Sequence, residues 1–486
     1  MKVLRFLAIC VMAAVCAGPL FGQGASATYG NIYGKVTDES GGALPGVSVT
    51  LSGGGGTRTS TTGGQGEFRF LNLSPGSYTV KTELNGFSTV ERTNVTVSLG
   101  SNTEVAVPMK IASVATTITV SSETPLLDTR RVSSGSDFTQ EQLKSIPSAR
   151  DPWVVLQQVP SVQIDRANVA GSESGQQSVY IGKGVDATQN SWLVDGVTVT
   201  DMSALGSSST YYDFDAFQEM QATTGGSDPS ISIPGVTLNM VTKRGTNEVH
   251  GSARIFDTPN ETEARASSSA VGPYSADLGG PSALSVGSGN SINHIQDYGV
   301  EAGGPIWPDK AWLWGSYGRD QIDLVKLSSA APDNTTLENY SGKLNIQPVE
   351  SNSATAFFFR CDKIKNGRTA VSNRGQGTAW NQTGPTTIWK GDDSQVFGPN
   401  FVLNAAYDYV RTGFHLAPQA GLGPNIVQDP SEVFQGTFFD FHTYRPQHQA
   451  TANASYFFNT GSIGHELKFG FGYRHIIGGS QTTWPG

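Results

Sequence analysis

Leu238-Asn239-Met240-Val241-Thr242-Lys243-Arg244-Gly245-Thr246-Asn247-Glu248-Val249-His250-Gly251-Ser252-Ala253 is the seam between two differently patterned halves of the chain. Downstream of it, apolar and polar residues alternate over long runs. Leu467, Phe469, Phe471 and Tyr473 share one parity against Lys468, Gly470, Gly472 and Arg474. Phe401, Leu403, Ala405, Tyr407 and Tyr409 repeat the pattern, as do Ala450, Ala452, Ala454, Tyr456 and Phe458. A membrane barrel needs this alternation, because each strand of about ten residues turns one side to lipid and the other to the lumen. The polar, Gly/Ser-rich stretches Ser267 to Asn290 and Asn366 to Gly398 read as extracellular loops. Those are the longer loops of such barrels.

Upstream, residues 126–249 read as a compact, mixed block. Asp137 to Ile146, with Phe138, Leu143 and Ile146 at near-helical spacing and Pro147 as the stop, predicts a short helix. Pro152 to Val159, closed by Pro160, predicts another. Asp195-Gly196, between Trp192-Leu193-Val194 and Val197, is strong turn chemistry, so its expected role is structural. Asp213, Asp215 and Glu219 lie close to Tyr211, Tyr212 and Phe214. That cluster could hold a cation or a substrate, or it is a solvated face or a contact to the barrel wall.

Residues 28–111 predict a small β-sandwich. Short strand-like runs at Ile32 to Thr37, Val47 to Leu51, Glu67 to Leu71, Ser77 to Leu84, Val95 to Leu99 and Thr103 to Met109 are separated by Gly41-Gly42, Pro45-Gly46, Gly63 to Gly66 and Pro75-Gly76. Val47, Val49 and Leu51 alternate with Ser48 and Thr50, the period of a strand with one buried face. Residues 112–125 form a Ser/Thr-rich linker around Thr117-Ile118-Thr119-Val120-Ser121.

At the N-terminus, Lys2 and Arg5 precede an apolar run from Phe6 to Val15 and small residues ending Ala25-Ser26-Ala27. This is the order of a cleaved export signal over residues 1–27. The run is shorter than the ~20 residues that span a bilayer as a helix. Val15 and Ile9 stand before Cys16 and Cys10, where a lipoprotein signal needs a small residue. Loss of the signal leaves Cys361 alone, which excludes an intrachain disulfide and reads as a small apolar filler. The 486 residues include 58 glycines and only 15% charged residues, which fits a mainly β chain. The net charge of −9 argues against a nucleic-acid partner. Seven histidines are scattered without an H-E-x-x-H pair, and neither a G-x-S-x-G elbow nor a P-loop is present. No cofactor, metal or catalytic residue is therefore expected, and the chain does not read as an enzyme.

Four phrases of the first block resemble the carboxypeptidase regulatory-like domain: Gly34-Lys-Val-Thr-Asp, Leu44-Pro-Gly-Val-Ser-Val, Gly66-Glu-Phe-Arg-Phe and Leu73-Ser-Pro-Gly-Ser-Tyr-Thr-Val. The resemblance implies a carbohydrate-binding-like fold without catalysis. Leu156-Gln-Gln-Val-Pro-Ser-Val-Gln-Ile, Tyr180-Ile-Gly-Lys-Gly, Trp192-Leu-Val-Asp-Gly-Val, Thr224-Gly-Gly and the seam resemble the plug and first barrel strand of TonB-dependent outer-membrane receptors of the Oar-like group. Gly303-Gly-Pro-Ile and Lys310-Ala-Trp-Leu-Trp-Gly-Ser-Tyr resemble a hairpin of the same group, with Trp312 and Trp314 suited to a headgroup girdle. Thr117, Ile118, Thr119, Val120 and Ser121 resemble that family's energy-coupling box, and equally read as a last strand of the sandwich.

The resemblance implies a signal peptide, a sandwich, a linker, a small α/β plug over 126–249 and, over 250–486, the N-terminal part of an antiparallel transmembrane β-barrel. A plugged transporter barrel has about 22 strands, whereas the residues after the seam hold roughly ten, so the chain reads as truncated. The implied partners are a periplasmic TonB-like protein and the outer-membrane lipid of a Gram-negative-type bacterium. The substrate stays open among siderophore, saccharide, peptide and exported protein. A second reading is a cell-surface carbohydrate-binding or adhesion protein in which Phe68, Tyr78 and Phe87 could stack on sugar, although strand residues of this kind are more often core.

Overall fold

The computed structural model describes residues 28–54, 56–112, 117–121, 133–146, 148–166, 168–226, 231, 233–260, 291–325, 333–368, 378–430, 434–460 and 463–485. The signal-like segment, most of the linker and the stretch Ser267 to Asn290 lie outside these residues.

Alternating small and β-branched residues make the first block a two-sheet sandwich. Its strands are β1 (Gly30–Asp38), β2 (Ser48–Gly53), β3 (Gly56–Thr61), β4 (Glu67–Leu73), β5 (Gly76–Glu83), β6 (Thr89–Val97) and β7 (Asn102–Met109). One sheet runs β4-β1-β7; the other runs β3-β2-β5-β6 and is extended by β8 (Thr117–Ser121), parallel to β6 with Thr117 opposite Thr89. Ile32, Val36, Val49, Leu51, Val80 and Val107 fill the gap between the sheets. Each fully buried side chain of this size contributes about 1.5–3 kcal/mol. Phe68 and Tyr78 are buried in the same core, and the partly buried Phe87 packs against it. Glycine is required at Gly34, where a Cβ would stand 2.0 Å from the Val105 carbonyl and 2.6 Å from the Phe68 ring.

The middle block contains β9 (Ser134–Thr139), β10 (Val162–Ile164), β11 (Tyr180–Gly182), β12 (Ser191–Val194), β13 (Val197–Thr198), β14 (Phe217–Gly225) and β15 (Thr237–Thr242). Its main sheet has the order β13-β12-β15-β14-β9. Two short helices lie beside it, α1 (Gln140–Ser145) and α2 (Pro152–Leu156). The first begins later than its spacing predicts. Asp137 and Phe138 pair with Gln221 and Met220 in β14, and the helix starts after Thr139, whose hydroxyl and backbone form a capping box with Gln142. Asp151 caps α2 by accepting from the Val154 amide at 2.9 Å.

After the seam one antiparallel sheet forms a wall. Its long strands are β16 (His250–Pro259), β17 (Ser291–Trp307), β18 (Ala311–Val325), β19 (Asp333–Val349), β20 (Asn352–Arg368), β21 (Trp380–Phe397) and β22 (Phe401–Arg411). The short pieces β23 (His415–Pro418), β24 (Val427–Gln428), β25 (Phe434–Gln435) and β26 (Asp440–Tyr444) intervene before β27 (Gln447–Thr460), β28 (Ile463–Ile476) and β29 (Gly479–Thr483). Sequence-adjacent strands pair from β16 to β22, β22 then pairs with β27 and β27 with β28, while β23 joins β21 to β26 and β26 pairs with β29. Short turns at 307–311, 349–352 and 397–401 mark one end of the wall, and the 412–446 connection the other.

Leu467, Phe469, Phe471 and Tyr473 are 54%, 53%, 55% and 54% exposed, the outward parity of β28. Two expectations are corrected. Trp312 and Trp314 do not form a girdle but are fully buried, because Leu313 between them takes the outward position. Their indoles turn inward to acceptors, Trp312 Nε1 to Asn247 Oδ1 at 2.8 Å and Trp314 Nε1 to Glu301 Oε2 at 3.1 Å. Trp307 of β17 and Trp389 of β21 are outward tryptophans of the wall, and Trp484 beyond β29 is exposed as well. Most of the stretch Asn366 to Gly398 is strand rather than loop, since its polar Gln382, Thr386 and Ser394 are buried on the inner side of β21.

In bilayers containing brominated acyl chains, Trp389→Phe should therefore remove a large part of the quenchable tryptophan emission while Trp312→Phe removes little. Equal losses from the two variants would refute this facing of the wall.

Candidate functional site

The middle block sits against the inner face of the wall, and one apolar core runs through both. Trp153, Trp192, Tyr212 and Met220 of the block pack in the same cluster as Phe357, Phe359 and Cys361 of β20, Ile388 of β21 and Val410 of β22. Trp192 and Tyr212 stack with ring centroids 6.3 Å apart. Cys361 is buried there as packing.

Polar contacts ring this core, and the first is built on the Asp195-Gly196 turn. Both residues have positive φ, +48° and +78°, in the tight turn joining β12 to β13. That turn aims the Asp195 carboxylate at Thr242 Oγ1, which donates at 2.6 Å, and at Lys343 Nζ, also at 2.6 Å. Lys343 donates as well to the Thr242 carbonyl at 2.8 Å. Lys390 Nζ reaches the Asp195 carbonyl at 2.7 Å and pairs with Asp392 at 3.0 Å. Two wall lysines thus hold one turn of the block. Asp195 and Lys343 are each 5% exposed, so neither tolerates loss of its partner.

The second contact divides the acidic cluster expected from sequence. Arg254 of β16 donates from Nη2 to Asp213 Oδ1 at 2.7 Å and from Nε to Asp297 Oδ1 of β17 at 3.0 Å. Its Nε also lies 2.8 Å from Asp215 Oδ2. Arg150 joins Asp215 to Asp297, the latter at 2.8 Å, and its guanidinium lies 4.1 Å from the Phe256 ring centroid. Burial pushes the Asp213 carboxyl up, Arg254 pulls it back, and Asp215 and Asp297 add to the rise. Among the described residues Asp213 Oδ2 has no hydrogen-bond partner. These carboxylates are therefore a contact to the wall. Among the described residues no group of three or more His, Cys, Asp or Glu is arranged to hold a metal ion.

Glu219, the third member of that cluster, turns to the sandwich. It accepts from the Leu99 amide at 3.0 Å, while Gln221 Nε2 donates to the Leu99 carbonyl at 2.8 Å. The sandwich also touches the short-turn end of the wall. Tyr29 donates to Asp392 at 3.0 Å, Arg69 to Asn400 at 2.9 Å, and the Thr59 amide to Glu350 at 3.1 Å. Leu71 packs with Val402 and Phe457.

The seam itself carries a third wall contact, Lys243 with Glu301 at 2.5 Å. Towards the other end, Arg445 pairs with Asp201, and the Thr198 carbonyl accepts from Gln447 at 2.6 Å and Gln449 at 3.0 Å. Lys363 Nζ donates to the Gly175 carbonyl at 2.8 Å and to Tyr211 Oη at 2.7 Å. Sequence reading missed all of these cations. For Arg254, Lys343, Lys363 and Lys390 the one visible signal is a lysine or arginine on the inward parity of a strand; Arg150, Lys243 and Arg445 lie outside the strands. Thr117 to Ser121 lies away from this ring, as the last strand of its sandwich sheet with Thr119 exposed.

Residues 31–110 match the carboxypeptidase regulatory-like domain family, and residues 128–246 match the TonB-dependent receptor plug domain family. The chain is 27% identical over 307 residues to the TonB-dependent transporter Oar of Myxococcus xanthus, a match covering 62% of this chain and 28% of that relative. It thus spans well under half the length of the curated relative. The fold is shared with solved outer-membrane proteins. The siderophore receptor PirA of Acinetobacter baumannii superposes with a TM-score of 0.50 at 15% identity, over 70% of this chain and 47% of that one. The outer membrane transporter YddB of Escherichia coli gives 0.51 at 11%, over 72% and 54%. The ferripyoverdine receptor of Pseudomonas aeruginosa gives 0.51 at 12%, over 78% and 48%. Among the described residues no helix is long and apolar enough to cross a membrane.

Removing Arg254 strands Asp213, which is 1% exposed in its side chain. Arg254→Ala should cost about 3–5 kcal/mol in urea unfolding of the refolded protein, and the double variant Arg254→Met with Asp213→Leu should recover most of the loss. Asp213→Asn should cost less than Arg254→Ala, because burial already favours the neutral carboxyl and Arg254 keeps Asp297.

Proposed function

We propose that this chain, a TonB-dependent receptor sequence of the Oar-like type, works in the outer membrane as plug and barrel wall of a transporter for a large substrate. In this reading residues 28–111 are a regulatory-like sandwich on the periplasmic side, 112–125 the connector, 126–249 the plug and 250–486 barrel wall. The observation that carries the reading is residues 126–249 held against the inner face of the wall by desolvated ion pairs at Asp195–Lys343, Asp213–Arg254 and Lys243–Glu301. Moving the plug away leaves each wall charge buried without its partner, a loss of about 3–5 kcal/mol where nothing replaces it, so in this reading passage of substrate requires work done on the plug.

That work comes from a periplasmic TonB-like protein acting on Thr117 to Ser121. An extended segment at the edge of a sheet offers backbone groups for strand addition, so a partner gains affinity from main-chain hydrogen bonds. β8 is such an edge, the last strand beyond β6. The sandwich and the short turns lie at the same end of the wall, which suits a periplasmic side with short connections. Substrate arrives from the opposite end, where the 412–446 connection lies.

Deletion of Thr117 to Ser121 should abolish energy-dependent uptake while surface binding of substrate is retained, and a Thr119→Cys variant should cross-link to the TonB-like partner. Uptake that continues at the wild-type rate after the deletion would remove this segment from the coupling step.

A further inference from the structure

We infer that His415 and His442, which face each other across β23 and β26 in the 412–446 connection, form a binding site for a divalent transition-metal ion of the zinc class. The two are direct partners in the antiparallel pairing of these strands, so their side chains stand on one face of the pair. Their ring centroids lie 5.5 Å apart. A tetrahedral ion holding two imidazole nitrogens at about 2.0–2.1 Å places the two ring centres roughly 5 Å apart, since each centre lies about 1.1 Å behind its nitrogen. The spacing therefore fits an ion between the rings with little movement of either strand. The His415 side chain is 42% exposed and His442 is exposed, so an ion reaches both from solvent.

Asp440 completes the arrangement. It precedes His442 by two positions on β26 and so shares its face. Its Oδ2 lies 2.7 Å from His415 Nε2. A carboxylate in that place accepts the ring proton, which leaves the Nδ1 lone pair to a metal and strengthens it as a donor. Imidazole suits zinc, copper and nickel, whereas calcium and magnesium take oxygen ligands. Among the described residues no group of three or more His, Cys, Asp or Glu is arranged to hold an ion, so two nitrogens bind directly and the remaining positions stay open to water or to a donor atom of another molecule. Residue order did not show the pair, because His415 and His442 meet only through strand pairing.

The placement gives the site a consequence. The ladder between β23 and β26 is short, His415 with His442 and Leu416 with Phe441. An ion shared by the two histidines clips it and closes the chain that runs between them. Arg445, just past β26, pairs with Asp201 of the plug, so the clip sits beside a contact between wall and plug. An ion that binds only the paired arrangement stabilises it increasingly with its concentration.

The test titrates zinc chloride, by calorimetry, into the full chain folded in detergent and stripped with a chelator, and adds copper(II) as a probe whose paramagnetic resonance spectrum counts bound nitrogens. One equivalent of zinc and a two-nitrogen copper spectrum are expected, with binding at least tenfold weaker and one nitrogen lost in His415→Gln and in His442→Gln. Asp440→Asn should weaken zinc binding about tenfold and keep both nitrogens, as an orienting carboxylate requires. His448 stands opposite His475 but has Tyr407 Oη 2.7 Å from its Nδ1, so His448→Gln should bind as the parent does. Saturating zinc should also slow proteolysis within 412–446. Should the histidine variants lose their heat-modifiable barrel behaviour, carbethoxylation of the parent mapped by mass spectrometry replaces them, and zinc should protect His415 and His442 but not His448. No saturable binding, binding unchanged in both histidine variants, or binding lost in His448→Gln would overturn the inference; parent-like affinity in Asp440→Asn would strike the carboxylate from it, and proteolysis unaltered by zinc would strike the clip.

Discussion

Under the proposed function one face of the wall meets lipid, and the ions buried on the other face, rather than the outward Arg319–Glu338 and Arg360–Asp362 pairs, organise the molecule. Lys343, Lys390 and Arg254 sit on inward positions of their strands, where each would be costly without a counter-charge. The plug supplies Asp195 to Lys343 and Asp213 and Asp215 to Arg254, while Lys390 pairs with Asp392 of its own strand and reaches the plug at the Asp195 carbonyl. Removing either side leaves uncompensated charge in a desolvated gap, which is why the two must be read as one structure.

The apolar contacts do a different job. Phe357, Phe359 and Ile388 lie in one cluster with Trp153, Trp192 and Met220, and such packing is indifferent to small shifts along the barrel axis. Ion pairs with fixed geometry are not. The cluster therefore places the plug against the inner face of the wall, while the Asp195 turn and the Arg254 cluster give it register. Asp195 can serve two lysines because its turn adopts positive φ, which exposes both carboxylate and carbonyl towards the wall.

Much of this was legible from residue order, and what was not has identifiable causes. Period-two alternation predicted the outward face of β28 residue by residue, and Asp195-Gly196 announced its turn. Trp312 and Trp314 misled because aromatic character suggested an interface, whereas parity with Leu313 and the need of each indole N–H for an acceptor put them inside. β3 was hidden because Thr57-Arg58-Thr59-Ser60-Thr61 has no apolar face to show. β21 was hidden because its inner side is as polar as a loop. The latch is a harder case. Lys343 and Asp195 are 148 positions apart, and no local pattern in either segment names the other.

The sandwich occupies a mechanical position that composition alone gave no reason to expect. β8 pairs with β6, and β6 ends at Val97, immediately before the turn in which Leu99 is gripped by Glu219 and Gln221 of β14. β14 lies beside β15, whose last residue Thr242 donates to Asp195 in the latch with Lys343. A continuous hydrogen-bonded route therefore leads from the proposed coupling strand to the plug's principal ion pair, independent of the linker that follows β8. Load applied along β8 is shared by several ladder bonds at once before it reaches Leu99. Under the proposed function the sandwich is consequently part of the transmission, and its docking against Asp392, Asn400 and Glu350 sets how much of a pull reaches the plug rather than the wall.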